Sequence, residues 1–198
     1  MTDVATFTRF TKLAIHKILE QAHAYPWQLQ GMGMFRLYLS REVRLHVWDM
    51  RFTVEKVSTL HTHPWNFTSY VLSGAITDRV YRVATLGPEP KDPTHYEQQI
   101  VCGPGGGVAG DKHPVCLESI GDTTWPAGSA YTRYAKEVHE SLPKSGTVTL
   151  CHRRFLEDTE HANVYFRLDR EWVSAEPRDA KPDEVAAMAR MALDRWEP

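Results

Sequence analysis

Two histidines stand one residue apart in STLHTHPWNFTSYVLSG, residues 58–74. In extended backbone, residues i and i+2 project to the same side, about 6–7 Å apart. The imidazoles of His61 and His63 can then meet on one cation, at about 2.0–2.1 Å from each nitrogen. Pro64 disfavours helical geometry at His63 and so supports the extended reading. The spacing alone is a weak signal, and it also fits a pair of histidines that face solvent or hydrogen-bond. Arginines elsewhere could serve an anion, because a guanidinium offers a planar fork to a carboxylate or phosphate. Arg79 and Arg82 lie on one strand with opposite parity, so only one can face inward, and Arg82 is the catalytic candidate. Arg133 and Arg154 are further candidates. His152 shares a strand face with Arg154 and is the candidate proton shuttle. Tyr134 is the candidate for orienting a substrate, with Tyr131 and Tyr165 beside it. Trp65 and Phe67 read as core or pocket wall.

Other chemistries are poorly served. Gly105, Gly107 and Gly110 have the dinucleotide-loop spacing, but DKHPVC follows them and Pro114 opposes a helix start there. A mobile glycine-rich loop over 103–110, flanking a pocket mouth, is the expectation. Cys102, Cys116 and Cys151 form no CxxC pair and are odd in number, against a disulfide framework or a thiolate cluster.

These groups need a scaffold that brings distant segments together. The chain has 198 residues and 42% apolar content, enough for one domain, 1–198, with a substantial core. Residues 6–24 space Phe7, Phe10, Leu13, Ile15, Ile18 and Leu19 by threes and fours, an amphipathic helix that Pro26 should help end. From residue 35 to 170 the texture changes to short runs rich in Val, Tyr, Phe, Thr and Ile, such as FRLYLS, VRLHVWDMRF, AITDRVYRVA and GTVTLCHRRF. Gly, Pro, Asp and Ser punctuate them. Many short strands without intervening helices predict an all-β core, an antiparallel sandwich or barrel. Residues 182–196 return to helix, with Pro182, Asp183 and Glu184 in the first turn and an apolar stripe through Val185, Met188 and Ala192. That helix is expected to pack on the outside of the barrel.

The histidine segment resembles the first motif of the cupin superfamily: His-x-His, three or four residues, Glu, six residues, Gly. Here His61-Thr62-His63 leads after three residues to Phe67 and then, six residues on, to Gly74. Phe67 stands where the family has its glutamate ligand, and Glu55 stands where it has a glycine before the first histidine. The second motif runs Gly, five residues, Pro-x-Gly, two residues, His. It is matched by Gly128, then Tyr134-Ala135-Lys136 in place of the Pro-x-Gly turn, then His139. A competing register puts Pro126-Ala127-Gly128 on the turn and loses the ligand to Tyr131.

The resemblance covers roughly residues 40–156. It implies a double-stranded β-helix, a cupin-type jelly-roll barrel, with one helix at each end and His61, His63 and His139 as metal ligands. The three-histidine set is similar to that of the thiol dioxygenase branch. It implies one divalent ion, Fe(II) foremost with Zn, Ni or Mn as alternatives, and a dioxygenase acting on a small anionic molecule such as a thiol. The alternative is a non-redox cupin, a small-ligand-binding protein or isomerase with zinc or no metal. A third reading is an interaction protein that forms a homodimer through its terminal helices. The formal net charge of −2 gives no reason to expect nucleic acid or an anionic membrane as partner. No apolar run approaches the roughly 20 residues of a membrane span. Without a secretory signal pattern, a cytoplasmic location is the expectation.

Overall fold

The structure is a computed structural model that describes residues 4–84, 92–102, 107–156, 160–173 and 176–196, with side chains from residue 10. Helix α1 (Val4–Glu20) opens the chain and strands then dominate. One sheet has seven strands: β1 (Gln28–Gln30), β2 (Met32–Tyr38), β3 (Val43–Thr53), β5 (Trp65–Ser73), β9 (Ala130–Arg133), β11 (Val148–Phe155) and β13 (Arg178–Asp179). Their spatial order is β13-β1-β2-β3-β11-β5-β9. A second sheet holds β4 (Leu60–His61), β6 (Ala75–Ala84), β7 (His95–Val101), β8 (Val108–Pro126), β10 (Val138–Pro143) and β12 (His161–Arg167), in the order β10-β4-β12-β7-β8-β6. Strand β10 pairs with both β4 and β6, so this circuit of pairings closes on itself. Every strand pairing is antiparallel. Helix α2 (Pro182–Asp194) follows.

The seven-stranded sheet is covered on both faces, which explains why consecutive residues of β2 and β3 are buried whatever their parity. On one face Phe35, Leu37, Leu45, Val47, Leu72 and Val148 pack against Ile15 and Leu19 of α1 and Val185, Met188 and Ala192 of α2. The other face turns toward the second sheet. There Met34, Trp48, Phe67, Val71, Tyr131 and Cys151 meet Ile76 of β6. The terminal helices therefore pack on one outer face, as the apolar stripe of residues 182–196 implies.

The chain steps from one sheet to the other at Gly74, between β5 and β6. Its φ is +74°, and a Cβ there would stand 2.8 Å from Thr147 Oγ1 and 3.0 Å from Thr147 Cα. The same hydroxyl donates to the carbonyl of Ala75 at 2.8 Å. A side chain at this crossing would push against backbone, which is the physical requirement behind the glycine that closes the first motif.

Two expectations are corrected. The first helix stops at Glu20, and Ala22–Ala24 tighten into a 3-10 turn whose Ala22 carbonyl accepts the indole N–H of Trp27 at 3.1 Å. Strand β7 and the first half of β8 pair with each other. The glycine-rich stretch is not a loop throughout: residues 103–106 lie outside the described residues, and Val108 to Gly110 already belong to β8. The three cysteines are free thiols. Among the described residues no helix is long and apolar enough to cross a membrane.

Candidate metal centre

His61 ends β4 and stands directly opposite His139 of β10 in antiparallel register. Thr62 turns the other way and is buried; its amide donates to the Asn163 carbonyl at 2.8 Å and its hydroxyl accepts the Asn163 amide at 2.8 Å. That anchorage to β12 forces the alternation that sends His61 and His63 to one side. The His63 carbonyl accepts the amide of Lys136 at 3.0 Å. Lys136 sits at φ +68°, where the family motif has the glycine of its Pro-x-Gly turn. This left-handed turn precedes β10 and delivers His139 as its second residue.

The three rings converge. Centroids lie 4.6 Å apart for His61 and His63, 4.9 Å for His61 and His139, and 5.3 Å for His63 and His139. One nitrogen from each falls within 4.8 Å of the others. The Nε2 atoms of His61 and His63 stand 3.1 Å apart, close to the roughly 3 Å between adjacent ligands that each bond an ion at about 2.1 Å. His61 Nδ1 donates to the Thr59 carbonyl at 2.8 Å, and His139 Nδ1 donates to Asp78 Oδ1 at 3.0 Å. Both contacts put the ring proton on Nδ1 and leave the Nε2 lone pair facing the centre. His139 Nε2 is buried and has no hydrogen-bond partner. The donor set therefore fits a divalent ion.

Burial and neighbouring charge keep His61 and His63 neutral. Burial, then the charge of His139, pushes His61 down to about 4. Burial, then His61 and His139, then Arg44 and His46, pushes His63 well below its ordinary value. Asp78, on β6, is fully buried. Burial alone would raise its carboxyl, but hydrogen bonds from His139 and Arg133 reverse this and hold it below the usual range. Arg133 Nε donates to Asp78 Oδ2 at 2.7 Å and Nη2 donates to the same oxygen. The result is a chain from Arg133 through Asp78 to His139. Phe67 packs its ring on His63 (5.1 Å between centroids) and on His139 (5.6 Å), so the position of the family glutamate is an apolar wall. Trp65 stacks on His63 at 5.3 Å and 24°. Among the described residues no carboxylate or thiol joins the three nitrogens.

The other candidates are placed elsewhere. Arg82 lies beyond a bulge at Val80/Tyr81, is exposed, and pairs with Glu118 of β8 at 2.5 Å. Arg79 pairs with Asp122 at 2.7 Å. Tyr134 is 63% exposed in the turn after β9. His152 and Arg154 are exposed, and the inward parity of β11 belongs to Cys151 and Arg153, both buried. None of His152, Arg82 and Tyr134 is brought to the histidine face. Tyr165 is buried, with its hydroxyl on Glu97 at 2.5 Å. Glu140, next to His139, points to the opposite side and accepts from Thr59 and Tyr81.

Sequence reasoning missed Asp78 and a row of cations, Arg36, Arg44, His46 and Arg153, on the inner face of the seven-stranded sheet. Arg44 and His46 alternate with Leu45 and Val47, and that alternation is the signal that could have found them. No protein-family model and no curated protein matches this chain.

Proposed function

We propose that the chain is a cupin-type double-stranded β-helix carrying a mononuclear non-haem metal centre, and that it is an iron(II) oxygenase acting on a small anionic molecule. The observation that carries this reading is the imidazole of His139. Its Nε2 is buried without a partner beside the His61–His63 pair, while its Nδ1 is committed to Asp78. A buried polar atom without a partner costs about 1–3 kcal/mol, which a bound cation removes. His61, His63 and His139 would hold the ion. When bound, iron(II) supplies open positions at which substrate and oxygen are held side by side.

The chain's own groups define what is admitted. Three neutral ligands leave the positive charge of a divalent ion uncompensated, which favours an anionic partner such as a thiolate. Trp65 and Phe67 close one side of the face with apolar rings and keep water away. The guanidinium of Arg44, within 5.1 Å of the Trp65 ring, adds attraction for an anion. Asp78 fixes the proton of His139 on Nδ1 and so keeps Nε2 a donor to metal.

Three imidazoles also suit zinc, which favours a second reading as a non-redox cupin. Metal analysis of protein purified without added metal separates the two. Stoichiometric iron, lost in His139→Ala, together with oxygen uptake in the presence of a small anionic thiol, supports the oxygenase. A full complement of zinc with no oxygen uptake selects the second reading. Absence of any bound metal after incubation with Fe(II), Zn, Ni and Mn overturns the metal centre, and with it the oxygenase, and leaves the metal-free form of the second reading.

A further inference from the structure

Arg36, Arg44 and Arg153 come from the neighbouring strands β2, β3 and β11, and His46 stands between them in register with Arg36. Arg44 is 8% and Arg153 5% exposed. Buried guanidiniums are normally paired with carboxylates. Among the described residues none of these three makes an ion pair. Arg36 donates through Nε and Nη2 to the neutral Gln28 Oε1, at 3.0 and 2.9 Å. Arg153 Nη2 donates to the backbone carbonyl of Arg41. Glu42, next in the chain to Arg41, accepts instead from the Ser40 hydroxyl at 3.2 Å. Arg44 Nε, Arg153 Nε and His46 Nε2 are buried with no hydrogen-bond partner.

The charges converge on two rings. The guanidinium carbons of Arg36, Arg44 and Arg153 lie 5.4, 5.0 and 5.4 Å from the Tyr38 ring. Those of Arg44 and Arg153 both lie 5.1 Å from Trp65. Cation–π contact is weaker than the desolvation cost of a buried cation, so the rings do not account for the cluster. Burial first, with the charge of neighbouring arginines adding to it, pushes Arg36 and Arg153 down to about 10. Trp65 is also the ring that stacks on His63, so the cluster adjoins the histidine face.

We propose that Arg36, Arg44 and Arg153 form a subsite for a compact dianion, a phosphoryl or phosphonyl group on the molecule that reaches the histidines. One carboxylate would neutralise one of three charges, two of them buried, and present two oxygens in a plane. A tetrahedral dianion carries two charges and presents oxygens in three directions, toward donors from three strands. This assignment rests on the reading of the histidine face as one that takes a small anion, and it sharpens the class of that anion.

The test uses full-length protein stripped of metal by chelator, with inorganic phosphate, methylphosphonate, acetate and malonate as probes at pH 8. Binding is followed by calorimetry and by the melting temperature. Phosphate and methylphosphonate are expected to bind at least tenfold more tightly than acetate and to raise the melting temperature. Arg44→Gln and Arg153→Gln are each expected to weaken phosphate at least tenfold, with Arg44→Lys intermediate. In anion-free buffer Arg44→Gln is expected to melt no lower than the parent, because it removes a charge repelled by its neighbours. Equal affinity for phosphate and acetate, tighter binding of malonate than phosphate, or unchanged phosphate binding in the double Gln variant overturns the proposal. So does failure of both Gln variants to fold, which would make the arginines scaffold. Metal titration of the same samples is scored separately: loss of metal binding with phosphate binding intact refutes the metal centre alone, and the converse refutes the dianion subsite alone.

Discussion

Replacing Asp78 by Asn tests whether the histidine face is a metal site or a packed cluster of rings. The carboxylate serves two donors, His139 Nδ1 on Oδ1 and the Arg133 guanidinium on Oδ2. An amide of the same shape has one acceptor oxygen and one NH2 group, so it can satisfy one donor and must oppose the other. If the oxygen keeps Arg133, His139 loses the partner that holds its proton on Nδ1, and the tautomer with Nε2 protonated becomes accessible. Loss of such a partner typically costs 10–100-fold in metal affinity, or about 1.4–2.7 kcal/mol at 1.36 kcal/mol per decade. A charge-assisted hydrogen bond is worth about 1.5–3 kcal/mol, which places the structural estimate in the same range. The assay is competition of the apoprotein with a chelator for Zn and Fe(II). The expected order of loss is His139→Ala, more than a hundredfold; then Asp78→Asn, ten- to a hundredfold; then Arg133→Gln, smaller still, because Arg133 acts only through Asp78. Asp78→Asn with parental metal affinity, in protein that circular dichroism shows to be folded, would refute the reasoning.

Acid should loosen the metal-free protein before its carboxylates protonate. His61 is held down to about 4 against an ordinary 6.5, so stability is full above 6.5 and falls as pH drops toward 4, by up to about 3 kcal/mol for this group. Thermal melts across that window should show the loss, and His61→Ala should flatten it. Phe67→Glu would set a carboxylate against His63 and His139 in place of a ring that is 6% exposed. It should destabilise the apoprotein by about 3–5 kcal/mol, as for other losses of a core Phe, and show a larger rise in melting temperature on metal addition than the parent. Lys136→Gly should stabilise by about 0.5 kcal/mol in urea unfolding, since relief of a left-handed backbone costing about 1–2 kcal/mol outweighs the added chain entropy and the lost bond from Nζ to the His161 carbonyl. Gly74→Ala should destabilise by about 2–4 kcal/mol, because the new methyl meets Thr147 backbone at 3.0 Å in a left-handed position. Unchanged stability in either glycine-site variant would count against the turn geometry.

What the sequence made legible is what lies close in sequence or follows from strand period. The spacing of His61 and His63 is a property of three residues, and any extended segment puts both rings on one side. The strands around them are readable from composition, and so is the outer packing of residues 182–196. His139 was accessible only through motif spacing, since register across β10 and β4 decides where it points. Asp78 was not accessible, and Arg133, though a candidate, gave no sign that it acts through Asp78. Their contacts bridge 61 and 55 positions, and nothing local marks Asp78 as the buried member of TDRVYR.

The choice of arginine shows how little separates a right reading from a misplaced one. On GTVTLCHRRF, adjacent residues offer opposite faces, and a period-2 argument cannot say which face is inward without knowing what covers the other. The terminal helices supply that knowledge. They cover Leu45 and Val47 on β3 and Val148 on β11, so the residues between them face the interior. Arg44, His46, Cys151 and Arg153 then follow by parity, and His152 and Arg154 are left on the outside. An apolar helix at each end of the chain therefore does more than stabilise the sheet. By claiming one face for packing, it commits the opposite parity of β3 and β11 to the interior that the three histidines share, and so places cations from strands remote in sequence beside them.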